Sequence, residues 1–115
     1  MEIYFPDVEA RQLFSVGSEL RARFGDELAK LISCRLQLLK KAPTLARVPD
    51  AGPINRKHET ERPGLFSVSL GEFHRLRFEA VDTELTSTSY ENLDEIQSIR
   101  VLAVEDSFPN KGSHK

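Results

Sequence analysis

The chain lacks the features that would cross-link it or anchor it in a membrane. It has one cysteine in 115 residues, which excludes an intrachain disulfide, and no Cys/His cluster has the spacing of a structural zinc site. No stretch approaches the ~20 apolar residues that span a bilayer, and the first residues lack the basic and apolar regions of a secretory signal. We therefore expect a cytoplasmic protein that uses no metal or other cofactor and binds no membrane.

A strong excess of one charge is also lacking. Lys and Arg total 16 against 18 Asp and Glu, which argues against a surface built throughout to hold nucleic acid. The acidic excess is regional, because residues 81–115 hold three bases and seven acids whereas residues 51–80 hold five bases and four acids. A local basic face in the middle of the chain is compatible with these counts. The length suits one domain, which we place at residues 1–108 and follow with a disordered tail at 109–115.

The first half of the chain shows helical patterns after a short strand. Alternation over residues 2–5 predicts the strand, and Asp7 is the expected N-cap of the helix that follows. Gly17 interrupts this helix, and a second start follows at Ser18. Apolar residues then recur at spacings of three and four up to residue 39, which predicts an amphipathic helix that Gly25 bends or splits.

The second half shows strand patterns. Residues 65–70 and 73–80 each alternate between apolar and polar side chains, and only Gly71 and Glu72 separate them, which predicts an antiparallel hairpin with a two-residue turn. Residues 99–104 predict a final buried strand. Helices that precede a run of antiparallel strands indicate an α+β fold with the helices on one face of the sheet.

Seven short motifs, in order along the chain, carry a resemblance to a known family. They are Met-Glu-Ile-x-Phe at the start, Arg-Phe-Gly before the long helix, Leu-x-x-Leu-Lys-Lys-Ala at its end, Arg-Lys-His-Glu at 56–59, Arg-Pro-Gly-Leu-Phe-Ser-Val at 62–68, His-Arg-Leu-Arg-Phe-Glu at 74–79 and Ile-Arg-Val-Leu-Ala-Val-Glu-Asp at 99–106. The ordered set resembles the plasmid-maintenance killer proteins, the HigB branch of the RelE/ParE toxin superfamily, over most of residues 1–106.

The resemblance implies a fold, an activity and partners. The fold is RelE-like, with an N-terminal helical hairpin packed on one face of a twisted antiparallel sheet. The activity is that of a type II toxin that cleaves mRNA without metal, usually on the ribosome. The partner is a cognate antitoxin, which commonly carries a helix-turn-helix DNA-binding domain.

Cleavage of RNA without metal needs a base, an acid and cations at the scissile phosphate. His58 resembles the histidine of the family's Arg-x-His segment, and a histidine pKa near ~6.5 suits proton transfer. Arg75 resembles the arginine of a family strand, and Asp106 the aspartate of the family's C-terminal motif. These three are the catalytic candidates. The alternatives are that His58 is an exposed residue of an edge strand and that Arg75 pairs with Glu72 or Glu79.

Five further residues are candidates for RNA binding, namely Arg56, Lys57, Arg62, Arg77 and Phe108. Alternation places Arg75 and Arg77 on one face of the hairpin, where we expect Arg56, His58 and Arg62 to join them in a concave basic patch. Arg62 has an alternative role as the salt-bridge partner that holds its own turn. Phe108 can stack on a base.

Two departures from the family pattern leave the activity open. Ser107 and Phe108 stand where the family usually has Tyr and His, and the loop after His58 is slightly shorter than usual. Loss of a proton donor or acceptor commonly lowers a rate by ~10²-fold to 10⁴-fold. A non-catalytic module that binds the antitoxin or the ribosome is therefore a second hypothesis, and a ParE-like gyrase inhibitor is a third.

Overall fold

A computed structural model describes residues 1–82, 84 and 92–106, and in these residues three helices and five strands follow one another in the predicted order. The elements are β1 (Glu2–Tyr4), α1 (Val8–Ser15), α2 (Gly17–Phe24), α3 (Asp26–Lys41), β2 (Lys57–His58), β3 (Leu65–Ser69), β4 (His74–Ala80) and β5 (Ser98–Asp106), with 3-10 turns at Leu45–Arg47 and Leu93–Glu95. The predicted tail at 109–115 and the candidate Phe108 lie outside the described residues.

The helical segment is divided where the sequence predicts. The Asp7 carboxylate accepts a hydrogen bond of 2.7 Å from the Ala10 amide and caps α1. Helix α2 begins at Gly17, one residue before the expected start, and Gly25 separates α2 from α3 with a φ of 85° that favours glycine. In the part of the chain that the structure describes, no helix is long and apolar enough to cross a membrane.

The five strands form one sheet in the order β1-β5-β4-β3-β2. Every neighbouring pair is antiparallel except β1 and β5, which run parallel with Ile3 opposite Ile99. Parallel neighbours need a long crossover, which the helices and the three intervening strands supply. Alternation in the sequence predicts which face a side chain occupies, but not this partner or its direction.

The hairpin turn is one residue longer than predicted. The Leu70 amide donates a 2.8 Å hydrogen bond to the His74 carbonyl, so the turn consists of Gly71, Glu72 and Phe73. A two-residue turn would shift the register by one and place Arg75 opposite Val68 in the core. The longer turn keeps Val68 opposite Leu76 and leaves Phe73 43% exposed.

The hydrophobic core lies between the helices and one face of the sheet. Buried side chains from the helices, among them Phe14, Leu20, Ile32 and Leu39, meet buried side chains from the strands, among them Val68, Leu76, Phe78, Ile99 and Val101. The predicted α+β class with helices on one face is confirmed. The opposite face of the sheet carries no helix in the described residues and is called the open face below.

Candidate functional site on the open face of the sheet

Strand β4 supplies alternate residues to the open face. Leu76 and Phe78 are fully buried in the core, and Arg75, Arg77 and Glu79 point the other way, as alternation predicts. The segment between β2 and β3, residues 59–64, lies beside these three side chains and contributes charged groups to each of them. We refer to it as the 59–64 segment.

A β-bulge in β5 brings further charges to this face. Arg77 pairs with Ala103 but Phe78 pairs with Val101, so Leu102 is an extra residue in the strand. The bulge shifts the alternation of side chains along β5 by one residue. Odd-numbered residues lie on the open face on one side of the bulge, and even-numbered residues lie there on the other side. Without it, Arg100 would point towards the helices.

Arg75 is held by three acceptors. Its Nε donates to Ser67 Oγ at 2.7 Å, and its Nη2 donates to the carbonyl oxygens of Asn55 at 2.5 Å and Ser67 at 3.3 Å. Burial lowers the pKa of Arg75 and the negative charge of Glu59 raises it, but a guanidinium stays charged at neutral pH. Among the described residues, nothing accepts a hydrogen bond from its Nη1. The N–H groups of Nη1 are therefore available as hydrogen-bond donors to an anion.

Arg77 is enclosed by two carboxylates. Its Nη2 lies 2.6 Å from Glu61 Oε1, and its Nη1 lies 2.5 Å from Glu105 Oε2. The hydrogen bond to Glu61 raises the pKa of Arg77, and the side chain is 16% exposed. A phosphate that binds both terminal nitrogens has to compete with these two carboxylates.

Glu79 is a buried carboxylate between two guanidinium groups. Arg62 Nη2 lies 2.6 Å from Glu79 Oε1, Arg100 Nη1 lies 2.9 Å from Glu79 Oε2, and the Glu79 side chain is 6% exposed. A buried carboxylate is tolerated only with such partners. The salt bridge that the sequence offered as the alternative for Arg62 is therefore present, and RNA binding by Arg62 stays a prediction.

Glu59 was not among the residues selected from the sequence. Its Oε2 accepts a 2.5 Å hydrogen bond from Ser67 Oγ, and the same hydroxyl accepts the hydrogen bond from Arg75 Nε. The fully buried Ser67 therefore connects a carboxylate to a guanidinium. The sequence carries one signal for Glu59, which is its position. Glu59 follows Lys57 by two residues, and side chains two residues apart lie on the same face of an extended chain.

His58 and Lys57 lie on opposite faces of β2. His58 pairs with Phe66, whose ring is 5.1 Å from the imidazole, and this register places it on the helix-facing side. Lys57 pairs with Ser67 and is exposed on the open face. The expectation that His58 joins Arg75 is not met, because period-2 alternation separates their side chains. The catalytic role of His58 and the RNA-binding role of Lys57 stay predictions.

Arg56 and Asp106 contact groups other than Arg75. Arg56 Nη1 donates to the carbonyl oxygens of Leu45 at 3.0 Å and Val48 at 2.7 Å, which ties it to the first 3-10 turn. Asp106 pairs with His74 in the sheet, and its Oδ1 lies 3.5 Å from His74 Nε2. Their predicted roles in RNA binding and catalysis are not supported by proximity to the open-face arginines.

The open face carries basic and acidic side chains in nearly equal number. In the described residues it combines the basic side chains of Lys57, Arg62, Arg75, Arg77 and Arg100 with the acidic side chains of Glu59, Glu61, Glu79 and Glu105. This network stands in place of the expected basic patch. No group of three or more His, Cys, Asp or Glu side chains in the described ranges is positioned to hold a metal ion. The arrangement offers an anion-binding guanidinium at Arg75 and a proton acceptor at Glu59.

Comparison with known proteins identifies the fold. No protein-family model matches the chain, and no curated protein matches it. Among solved structures, a YoeB/ParE toxin from Agrobacterium tumefaciens is similar with a TM-score of 0.55 and 14% sequence identity, covering 94% of this chain and 100% of that chain. The HigB branch stays a prediction. The RelE-like fold expected from the resemblance is confirmed, and the chain shares the fold of a YoeB/ParE toxin.

Proposed function

We propose that this protein is the toxin of a type II toxin-antitoxin pair and that it cleaves mRNA on the open face of the sheet. The observation that carries the proposal is the held guanidinium of Arg75, whose Nη1 donates to no acceptor within the described residues, in a fold shared with a YoeB/ParE toxin. The similar structure at 14% identity supports the fold, and the activity rests on the chemistry of the site.

Arg75 is suited to the scissile phosphate. Its Nε and Nη2 are bound to the protein, so the group is oriented before RNA arrives and loses little freedom on binding. Charge that accumulates on the phosphate oxygens during cleavage meets the donors on Nη1. Arginine suits this task because its guanidinium keeps its charge at neutral pH.

Glu59 is suited to accept a proton beside Arg75. In the proposed reaction a carboxylate oxygen of Glu59 takes the proton of the RNA 2′-hydroxyl, and the 2′-oxygen attacks phosphorus. The bond to the 5′-oxygen breaks, which leaves a 2′,3′-cyclic phosphate, and an acid protonates the 5′-oxygen. His58 and Asp106 remain candidates for proton transfer from the sequence, although neither lies beside Arg75.

The test is induced expression of the full chain with growth and transcript cleavage as readouts. We expect arrest of growth and cut transcripts, and at least ~10²-fold less cleavage for Arg75→Gln and Glu59→Gln. Lys30→Gln, which removes an exposed charge from α3, is the matched control and retains activity. His58→Gln in the same assay decides whether histidine contributes. Full cleavage by Arg75→Gln would contradict the proposed site.

The paired carboxylates favour a second candidate, a non-catalytic module that binds the antitoxin or the ribosome. Arg62, Arg77 and Arg100 each contact a carboxylate, which weakens the attraction of the face for RNA. Growth arrest with intact transcripts would favour this candidate over cleavage. Inhibition of purified gyrase in the same preparation would instead favour the ParE-like activity.

The proposed partners follow from the same chemistry. The nearly balanced open face and the net charge of −2 imply weak, salt-sensitive binding to free RNA, so we propose that the ribosome presents the mRNA. We further propose that an antitoxin, expected to be a helix-turn-helix protein, neutralises the toxin in the cytoplasm. Copurification of the protein with ribosomes, and loss of toxicity on coexpression of the product of the adjacent gene, test these two partners.

A further inference from the structure

Charged side chains of the 59–64 segment lie beside three successive open-face residues of β4 and bind two of them directly. Glu59 faces Arg75 through Ser67, Glu61 binds Arg77, and Arg62 binds Glu79. The pairing follows the two-residue period of the strand, so each of these charged side chains in the segment meets an opposite charge. The 59–64 segment is therefore attached to the open face by electrostatic contacts.

The three contacts differ in how readily they exchange. Glu79 is 6% exposed and sits between two guanidinium groups, so separation of Arg62 from it would weaken the compensation of a buried charge. Glu61 and Glu105 are 60% and 48% exposed, and ion pairs at such exposure contribute little. The contacts of Arg77 are therefore the ones that an incoming anion can replace.

The guanidinium of Arg77 has the geometry of an occupied anion site. Its two terminal nitrogens each contact one carboxylate oxygen, Nη2 at 2.6 Å and Nη1 at 2.5 Å, and the two oxygens come from different residues. One phosphate group carries two anionic oxygens that can contact both nitrogens together. Arg77 is also two residues from Arg75 on the same face, which is about 7 Å along a strand, so one RNA strand that runs along β4 passes both guanidinium groups.

We propose that Arg77 is a second phosphate-binding residue, closed in the free protein by Glu61 and Glu105, and that an RNA phosphate replaces these carboxylates when the strand extends beyond Arg75. The two glutamates thus compete with the substrate and limit binding of free RNA. This inference rests on the proposed function, since it extends the RNA track from the reacting phosphate at Arg75 to its neighbour.

The experiment measures binding of a fluorescent ten-nucleotide 2′-O-methyl RNA, which lacks the reacting hydroxyl, to the purified full chain by anisotropy. We expect the double variant Glu61→Gln and Glu105→Gln to bind about tenfold more tightly than the unaltered protein, because each exposed ion pair removed is worth a few-fold in the binding constant. Glu61→Gln alone gives a smaller gain. The matched control, Glu72→Gln with Glu95→Gln, adds the same net charge at exposed positions elsewhere.

Addition of Arg77→Gln to the double variant separates this site from a general charge effect. We expect the gain in affinity to disappear, whereas the control pair keeps its small gain when Arg77 is replaced. A double variant that binds no more tightly than the control pair would overturn the proposal, and so would a gain that survives Arg77→Gln. Circular dichroism confirms that each variant is folded.

The outcomes also separate this inference from the proposed function. If cells show no Arg75-dependent cleavage but the affinity gain depends on Arg77, the nuclease fails and the closed anion site stands. If Arg75-dependent cleavage is found but the double variant shows no gain, the nuclease stands and the closed site fails.

Discussion

The two faces of the sheet belong to the same strands but are held by different kinds of interaction. On the helix-facing side, Val68, Leu76 and Phe78 of β3 and β4 are fully buried among apolar side chains. On the open side, Arg75 and Arg77 of β4 lie among carboxylates and carbonyl oxygens. Apolar burial is stabilising without directional partners, whereas each buried or half-buried charge needs a specific partner. Stability is therefore expected mainly from the first face, and specific chemistry from the second.

The largest expected effect tests the helix-facing side. Phe78→Ala removes a fully buried ring, and we expect the free energy of unfolding to fall by ~3–5 kcal/mol because a cavity remains between the sheet and the helices. Urea denaturation followed by circular dichroism measures it. Phe73→Ala, at the 43% exposed turn position, is the matched control and should cost less than ~1 kcal/mol. Similar losses for the two would contradict this description of the core.

Glu79 tests the comparison of the two faces directly, because it is a buried charge on the open side. Glu79→Gln leaves Arg62 and Arg100 without their carboxylate, and we expect a loss of ~2–4 kcal/mol in the free energy of unfolding. Glu72→Gln, in the exposed turn, should change it by less than ~0.5 kcal/mol. If neither substitution changes the free energy of unfolding in urea denaturation, the ion pairs of Glu79 do not stabilise the fold.

Ser67 tests whether the open face is organised for chemistry. Ser67→Ala removes the hydroxyl between Glu59 and Arg75, and we expect a loss of ~1–2 kcal/mol in the free energy of unfolding, since a buried donor and acceptor lose a partner. Transcript cleavage should fall as well, because Arg75 is less well oriented. Ser69→Ala, whose hydroxyl bonds only the Gly71 carbonyl among described residues, is the control with cleavage retained.

The sequence predicts faces better than it predicts partners. Alternation correctly assigned Leu76 and Phe78 to the core and Arg75 and Arg77 to the other side, since this requires only the two-residue period of a strand. The parallel pairing of β1 with β5 depends on packing between distant segments, which no local pattern contains. The third residue of the hairpin turn differs in this respect, because only an odd number of turn residues sets Val68 opposite Leu76 as the alternation requires.

The candidate site shows the same division. The sequence pattern predicts Arg75 as a site residue with His58 beside it. The register of β2 against β3 places His58 opposite Phe66 instead. It missed Glu59 because a carboxylate gains its role only from Ser67 and Arg75 across two strands. Strand alternation predicts a basic patch of arginines, whereas the ion pairs of Arg62 and Arg77 depend on the path of the 59–64 segment.

The smallest expected effect on stability comes from Lys57, an exposed side chain on the open face. Lys57→Gln should change the free energy of unfolding by less than ~0.5 kcal/mol. If its ammonium contacts one RNA phosphate, the slope of log binding constant against log salt concentration for the 2′-O-methyl RNA should become shallower by about 0.7. Lys30→Gln removes an equally exposed charge from α3 and should leave that slope unchanged, because RNA is expected on the open face and not on the helices. Equal slopes for the two variants would contradict a phosphate contact at Lys57, and a change confined to Lys57→Gln would place one end of the RNA track beside β2.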